Sequence, residues 1–214
     1  LLERGLAEAT VNRRLAALRS LVSYAKVLGA VDWELDVSGE PVTTYRDTRG
    51  VTPADIRAIL SGCNLATLKG KRDYALLRLL WDNALRRGEI VKLNVGDFDA
   101  QARRLAILGK GKGSQKEWID LSARTAQALS NWLQARREAY GDMNPADALF
   151  VAVDNATGGA RLSTTGVYNL VRDYSAEAGI DRTMSPHRIR HSSITAALEA
   201  TNGNVVAVQR LSRH

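Results

Sequence analysis

The stretch SPHRIRHSSIT, which begins at Ser185, places two histidines and two arginines within five residues. His187, Arg190 and His191 are spaced i, i+3 and i+4, so on a helix their side chains lie on one face. Ser185 is a favourable N-cap and Pro186 suits the first helical position. The cluster is therefore expected in the first turns of a helix, where the macrodipole favours an anion. A guanidinium that can bind an oxyanion bidentately, flanked by imidazoles, suggests a phosphate site.

Three other positions carry residues suited to the same chemistry. Arg86 lies in NALRRGEI, where two predicted helices meet, and Glu89 follows it by three residues. Lys110 lies in the turn LGKGKGS, between two β-prone segments that predict a hairpin. His214 ends the stretch LSRH. Each position alone is a weak signal, so their order along the chain carries the argument.

The ordered series Arg, Lys, His-x-x-Arg and late His resembles the active site of the tyrosine recombinase (phage integrase) family. The stretch ALRRGEI resembles the first-arginine box of that family, and GKGKGSQKEWIDL resembles its β-hairpin lysine box. HRIRH and LSRH resemble the second-arginine and late-histidine boxes. Upstream, LAEATVNRRLAALRSLVSYAKVLG resembles the last part of the helical core-binding domain. The resemblance covers essentially the whole chain.

The resemblance implies a DNA strand transferase that cuts and rejoins strands through a 3′-phosphotyrosyl intermediate. Arg86 and Arg190 would clamp the phosphate, where fixed donors stabilise the charge of the transition state. Lys110 would protonate the departing 5′ oxygen as general acid. His187 would take or share the proton of the nucleophile, and His214 would hydrogen-bond the phosphate.

The resemblance assigns supporting roles to two further residues. Glu89 would orient Arg86, and His191 would support the residues that contact the phosphate. No cofactor and no metal are expected. The acidic residues are scattered, whereas a two-metal nuclease needs converging carboxylates. His187 and His191 also lack the glutamate that follows the first histidine in a zincin motif.

The sequence departs from the family pattern at the nucleophile, which in the family lies downstream of the late histidine. All six tyrosines precede the His-x-x-Arg box: Tyr24, Tyr45, Tyr74, Tyr140, Tyr168 and Tyr174. We therefore expect the nucleophilic tyrosine to lie beyond residue 214. The 214-residue fragment is expected to be inactive without it.

Composition agrees with a polyanionic partner. Thirty Lys and Arg residues against 23 Asp and Glu give a net charge of +7 and a pI near 9.8, which suggests nucleic acid. Cys63 is the single cysteine, so an internal disulfide is impossible and a reducing cytoplasm is expected. No apolar run approaches the length of a membrane span.

The fold class is predicted as α+β, mainly helical with a small antiparallel sheet, preceded by a helical fragment. Residues 1–38 are assigned to the end of the core-binding domain, 39–50 to a linker, and 51–214 to the catalytic domain. A helix is predicted from Thr10 to Leu28, and its basic side chains are expected along DNA: Arg13, Arg14, Arg19 and Lys26.

Local patterns predict the elements of the catalytic domain. TPADIRAIL begins a helix with a capping box. Further helices are expected at Ala123–Tyr140, Thr164–Ala178, Pro186–Ala200 and Val205–Leu211, with a short strand near Ala148–Val153.

The resemblance implies double-stranded DNA as the partner and a homotetramer on paired DNA sites for the full-length protein, which would be cytoplasmic and DNA-associated. Two alternatives remain open at this point. A type IB topoisomerase uses a similar set of groups and relaxes supercoils without pairing two sites. A non-catalytic DNA-binding regulator would bind DNA but would have no need of a general acid.

Overall fold

The computed structural model describes most of the chain, namely residues 5–41, 50–109, 115–153, 158–180 and 183–213. The chain divides into two compact units, Leu1–Thr48 and Arg49–His214. Among the described residues, no helix has both the length and the apolar character needed to cross a membrane.

The described residues of the first unit include the predicted helix, α1 (Glu8–Val27), which begins two residues and ends one residue earlier than predicted. An extended segment, residues 31–41, follows it. The side chain of Asn12 both donates to and accepts from the main chain of Glu40, over 2.8 Å in each case. These two bonds fasten the end of the extended segment to the first half of α1.

In the described residues of the second unit, seven α-helices follow: α2 (Pro53–Ser61), α3 (Leu68–Asp82), α4 (Arg87–Ile90), α5 (Ala123–Tyr140), α6 (Thr164–Glu177), α7 (Pro186–Ala200) and α8 (Val205–Ser212). The predicted bounds of α5 and α7 are confirmed, and those of α6 and α8 differ by one residue at the C-terminal end. The predicted junction between two helices near Arg86 is the boundary of α3 and α4.

The helix starts follow the capping chemistry of the sequence. The Thr52 hydroxyl accepts from the Asp55 N–H, and the Asp55 carboxylate accepts from the Thr52 N–H, which completes the predicted capping box of α2. Ser185 caps α7 by accepting from the N–H of Arg188 over 3.3 Å. Side-chain oxygens thus satisfy main-chain donors that the first turn leaves unpaired.

A three-stranded antiparallel sheet lies between α4 and α5. Its strands, β1 (Phe98–Asp99), β2 (Arg104–Leu108) and β3 (Lys116–Asp120), pair in the order β1-β2-β3. Leu105, which pairs with Ile119, is fully buried. The predicted hairpin is therefore present, and β1 is an addition that the sequence pattern did not reveal.

The predicted strand near Ala148–Val153 is wrong. This segment forms two isolated bridges, Asn94 with Ala148 and Val151 with Arg161. Its main chain forms hydrogen bonds with two different segments. The Leu149 N–H donates to the Leu93 carbonyl, and the Phe150 carbonyl accepts from the Leu162 N–H. Because each of these segments pairs with it at a single bridge, no β-ladder forms. The apolar side chains are nevertheless buried, as those of a strand would be.

The core of the second unit surrounds α3, which packs against α2, α5 and α7. Leu76, Leu77, Leu79 and Leu80 of α3 are fully buried, so α3 is a rigid base for its neighbours. Helix α7 is fixed to this base by a hydrogen bond from the Ser193 hydroxyl to the carbonyl of Trp81. The site residues of α7 are thereby held beside the C-terminal end of α3.

Candidate active site

Three of the predicted site residues meet at one pocket. Arg86 is the N-cap of α4, while His187 and Arg190 lie in the first two turns of α7. The pocket has a volume of about 380 Å³ and is lined by Arg86, Arg87, Gly88, Tyr168, Ser185, Pro186, His187 and Arg190. The N-terminal end of α7 therefore contributes its dipole together with these side chains, an arrangement suited to an anion.

Arg86 is held by Glu89, one turn further along the chain. The Arg86 guanidinium donates to Glu89 Oε1 over 2.7 Å, and the Arg86 main-chain N–H donates to Oε2 over 2.7 Å. The Glu89 side chain is 4% exposed, whereas that of Arg86 is 30% exposed. The carboxylate thus fixes the arginine from the protein side and leaves part of it facing the pocket.

Arg190 is the buried arginine of the pocket, at 4% exposure. Its guanidinium donates to the main-chain carbonyls of Ala84 and Ser212. Burial, followed by the nearby positive charge of Arg86 and Arg213, lowers the pKa of Arg190 to about 10. The pKa still lies well above neutrality, so Arg190 is a cation at physiological pH.

Arg213 is a site residue that the sequence reasoning missed, although it stands inside the quoted stretch LSRH. Its guanidinium donates to Glu89 Oε2 and to the Ala84 carbonyl, each over 3.2 Å. Burial lowers the pKa of Arg213, and the Glu89 carboxylate opposes that shift. Glu89 therefore compensates more than one guanidinium, which no spacing rule within a single helix could reveal.

Tyr168 lines the pocket, and the sequence reasoning did not select it. It lies on α6 and lines the pocket together with Arg86, Arg190 and His187. The sequence places it among six tyrosines without distinguishing it. Only the packing of α6 brings this phenol to the site.

Of the remaining predicted site residues, one is described by the structure away from the pocket and two lie outside the described residues. His191 is exposed, and in the described part of the chain it is not among the lining residues. Lys110 and His214 lie outside the described residues. The strands on either side of Lys110 end at Leu108 and resume at Lys116, whose ammonium pairs with Asp97.

The four basic residues expected to bind DNA, Arg13, Arg14, Arg19 and Lys26, are exposed on α1. Arg19 donates to the carbonyl of Val37, and Lys26 pairs with Glu34. Through that pairing, Lys26 lowers the pKa of the Glu34 carboxyl. Two of the four cations are thus already engaged by the extended segment that follows the helix.

In the described residues, no three His, Cys, Asp or Glu side chains come together in a way that could hold a metal ion. The polar groups of the pocket are instead cationic or neutral donors. Such a set can bind a phosphate directly through charge-assisted hydrogen bonds.

Comparisons with known proteins identify the family of the chain. The family model of the phage integrase family matches residues 49–214. A tyrosine recombinase of Synechococcus elongatus is 51% identical over 213 residues, which cover 99% of this chain and 65% of that protein. A tyrosine recombinase of Synechocystis sp. is 51% identical over 215 residues, covering 100% of this chain and 67% of that protein. The chain thus spans about two thirds of the length of these curated relatives.

Solved structures show the same fold at low sequence identity. XerH site-specific recombinase bound to difH substrate, in a pre-cleavage complex, has a TM-score of 0.72 at 21% identity, covering 100% of this chain and 61% of that one. The Tn1549 transposon integrase in complex with circular intermediate DNA has a TM-score of 0.68 at 21% identity, covering 99% and 73%. The family match and these two relatives show that the chain belongs to the phage integrase family of tyrosine recombinases.

Proposed function

We propose that this chain carries the phosphate-binding machinery of a site-specific DNA recombinase that breaks and rejoins strands by transesterification. The observation that carries the proposal is the convergence of Arg86, His187 and Arg190 on one pocket at the N-terminal end of α7. These residues come from parts of the sequence about a hundred positions apart. Their juxtaposition therefore depends on the fold, and it produces a cationic site.

In the proposed reaction, a tyrosine oxygen attacks the scissile phosphorus. A phosphorus–oxygen bond to the tyrosine forms as the bond to the 5′ oxygen breaks, so the products are a 3′-phosphotyrosyl ester and a 5′ hydroxyl. Arg86 and Arg190 stabilise the negative charge on the non-bridging oxygens, and the loss of one such donor typically slows a reaction by about 100- to 1,000-fold. Because one ester replaces another, rejoining needs no ATP.

Proton transfers complete the proposed cycle. His187 takes or shares the proton of the attacking tyrosine, and Lys110 gives a proton to the departing 5′ oxygen. His214 hydrogen-bonds the phosphate. Glu89 keeps Arg86 in place, consistent with its two hydrogen bonds to that residue. The family pattern places the nucleophile after His214, so the proposed tyrosine lies outside residues 1–214.

The remaining parts of the proposal concern DNA. Residues 1–38 form the end of a second DNA-binding domain, residues 39–50 a linker and residues 51–214 the catalytic part. The exposed basic side chains of α1 contact double-stranded DNA. The full-length protein acts as a homotetramer on two paired DNA sites in the cytoplasm. The DNA-bound structures of XerH and of the Tn1549 integrase support a DNA partner.

The test compares the 214-residue chain with a longer form that includes the native residues after His214. A nicked duplex bearing the target site is incubated with each protein, and covalent products are separated on a denaturing gel. The longer form is expected to yield a 3′-phosphotyrosyl adduct, and Arg190→Ala is expected to abolish it. The 214-residue chain is expected to bind the duplex without forming an adduct.

An adduct formed by the 214-residue chain itself would overturn this placement of the nucleophile. Tyr168→Phe would then be examined first, because Tyr168 lines the pocket. Supercoil relaxation by the longer form, without joining of two sites, would instead identify a topoisomerase. Binding without any adduct in either form would leave a DNA-binding regulator.

A further inference from the structure

Arg213 ends α8 in an unusual backbone conformation. It is the C-cap of the helix with φ 53° and ψ 50°, in the left-handed region that L-residues other than glycine seldom adopt. Glycine is the common residue at such positions, because it lacks the Cβ that clashes there. A large charged residue in this conformation needs surrounding contacts that hold it there.

The guanidinium of Arg213 makes those contacts. Its side chain is 9% exposed. Nη1 donates to the carbonyls of Asn83 over 3.0 Å and Leu211 over 2.9 Å. Nη2 donates to the carbonyl of Ala84 and to Glu89 Oε2, each over 3.2 Å. The end of α8 is thereby tied to the turn between α3 and α4.

The acceptors of Arg213 are also those of the two clamp arginines. The Ala84 carbonyl accepts from Arg190 as well as from Arg213. The Glu89 carboxylate accepts from Arg86 as well as from Arg213. Ala84 itself has a positive φ of 47°, so the chain enters the Arg86 turn through a strained residue. Arg213 thus contacts one hydrogen-bond acceptor of Arg86, the Glu89 carboxylate, and one of Arg190, the Ala84 carbonyl.

We propose that Arg213 is a positioning residue. It fixes the Ala84 carbonyl and the Glu89 carboxylate, and through them it keeps Arg86 and Arg190 in the geometry that binds a phosphate. This inference rests on the proposed function of the pocket as a phosphodiester site. Phosphate affinity would then depend on an arginine that does not itself line the pocket.

The proposal differs measurably from a purely structural role. A residue that only ends α8 is replaced well by glycine, which favours the left-handed conformation. Arg213→Gly relieves the backbone while it removes all four guanidinium contacts. We expect this variant to keep the folded state and to loosen the anchors of Arg86 and Arg190. Arg210→Ala is the matched control, because Arg210 is an exposed arginine on the same helix.

The experiment measures the affinity of the 214-residue chain for inorganic phosphate by isothermal titration calorimetry, with chloride balancing the ionic strength. Arg86→Ala gives the baseline for non-specific binding. Arg213→Gly is expected to bind phosphate about tenfold more weakly than wild type, the size of effect that follows loss of a charge-assisted hydrogen bond. Arg210→Ala is expected to change the affinity by about twofold or less, as for an exposed charge.

The outcomes separate the two proposals. If wild type binds phosphate no better than Arg86→Ala, the pocket is not a phosphate site and the proposed function fails. If wild type binds phosphate and a folded Arg213→Gly binds equally well, Arg213 only caps the helix and this inference is overturned. If Arg213→Gly does not fold, Arg213→Lys decides: an ammonium cannot replace the forked donor set, so wild-type affinity in that variant also overturns the inference.

Discussion

Glu89 accepts two hydrogen bonds from Arg86, one from its main chain and one from its guanidinium, each over 2.7 Å. The first satisfies the N-cap N–H of α4, and the second aligns the side chain. A single buried carboxylate therefore performs both a helix-capping and an electrostatic task. Because this carboxylate neutralises part of the charge of three clustered arginines, its removal should lower the free energy of unfolding.

We expect Glu89→Gln to lower the free energy of unfolding by about 3 kcal/mol, because it leaves buried guanidinium groups without their counter-charge. Urea denaturation followed by circular dichroism measures the change. Asp99→Asn is the control: Asp99 pairs with Arg104 at the surface, where their side chains are 30% and 44% exposed. Such an exposed pair contributes little to stability, and an equal loss in both variants would contradict the argument.

The lowered pKa of Arg190 predicts a pH dependence of anion binding. The guanidinium is charged below about pH 10 and loses its proton above it, so sulfate affinity should be constant near neutrality and fall above about pH 10. Sulfate is the suitable probe because it does not titrate in this range. The folded protein binds fewer protons than the unfolded chain between about pH 10 and the higher, ordinary pKa of arginine, so the stability of the fold rises with pH there.

Two variants test whether Arg190 is the group that titrates. Arg190→Lys should move the fall in sulfate affinity to lower pH, because the pKa of lysine begins near 10.4 and the same burial lowers it further. Lys110→Ala should leave the profile of the wild type unchanged. A profile that disappears in Lys110→Ala would assign the titration to that lysine instead.

DNA binding should weaken steeply with salt, because each phosphate contact releases counterions and contributes about −0.9 to the slope of log affinity against log salt. Within the described residues, Arg13 makes no side-chain hydrogen bond or ion pair, whereas Lys26 is paired with Glu34. Arg13→Ala should therefore reduce the slope by about one contact. Lys26→Ala should reduce it less, since Lys26 must leave Glu34 to reach a phosphate. Fluorescence anisotropy with a duplex at several salt concentrations checks both.

Much of the local structure could be predicted because its signals are local. Helix α5 begins after the cap Ser122 and ends before Gly141, which has a φ of 85°, so its bounds follow from two residues. The cap Ser185 and the proline after it fix the start of α7 in the same way. The pairing of Arg86 with Glu89 likewise follows from i, i+3 spacing.

The rest of the site depends on tertiary packing. Helical periodicity places His191 on the same face as His187 and Arg190, yet His191 is exposed, because the periodicity does not say how far the neighbouring elements extend. Ala84 and Arg213 both have a positive φ, which alanine and arginine normally avoid, so the sequence does not predict these conformations. The sharing of the Ala84 carbonyl by two arginines has no sequence signature either. Contacts that join α8 to the α3–α4 turn appear only once the helices are assembled.

The general acid can be tested by changing the leaving group. In the longer form proposed to carry the tyrosine, Lys110→Ala should leave DNA affinity nearly unchanged and slow cleavage by about 100-fold or more, the scale of general acid catalysis. A substrate with sulfur in place of the bridging 5′ oxygen needs no proton on its leaving group. It should therefore restore much of the lost rate, measured as adduct formed in a single turnover.

Lys112→Ala is the matched control, because Lys112 stands in the same Gly- and Lys-rich stretch of sequence two residues further on. It should cleave the oxygen substrate at nearly the wild-type rate and gain nothing from sulfur. If sulfur restores the rate of Lys112→Ala and not that of Lys110→Ala, the general acid is Lys112. If sulfur restores neither rate, the two lysines only contact the phosphate. Added EDTA should leave every rate unchanged, because the proposed chemistry requires arginines and protons but no metal ion.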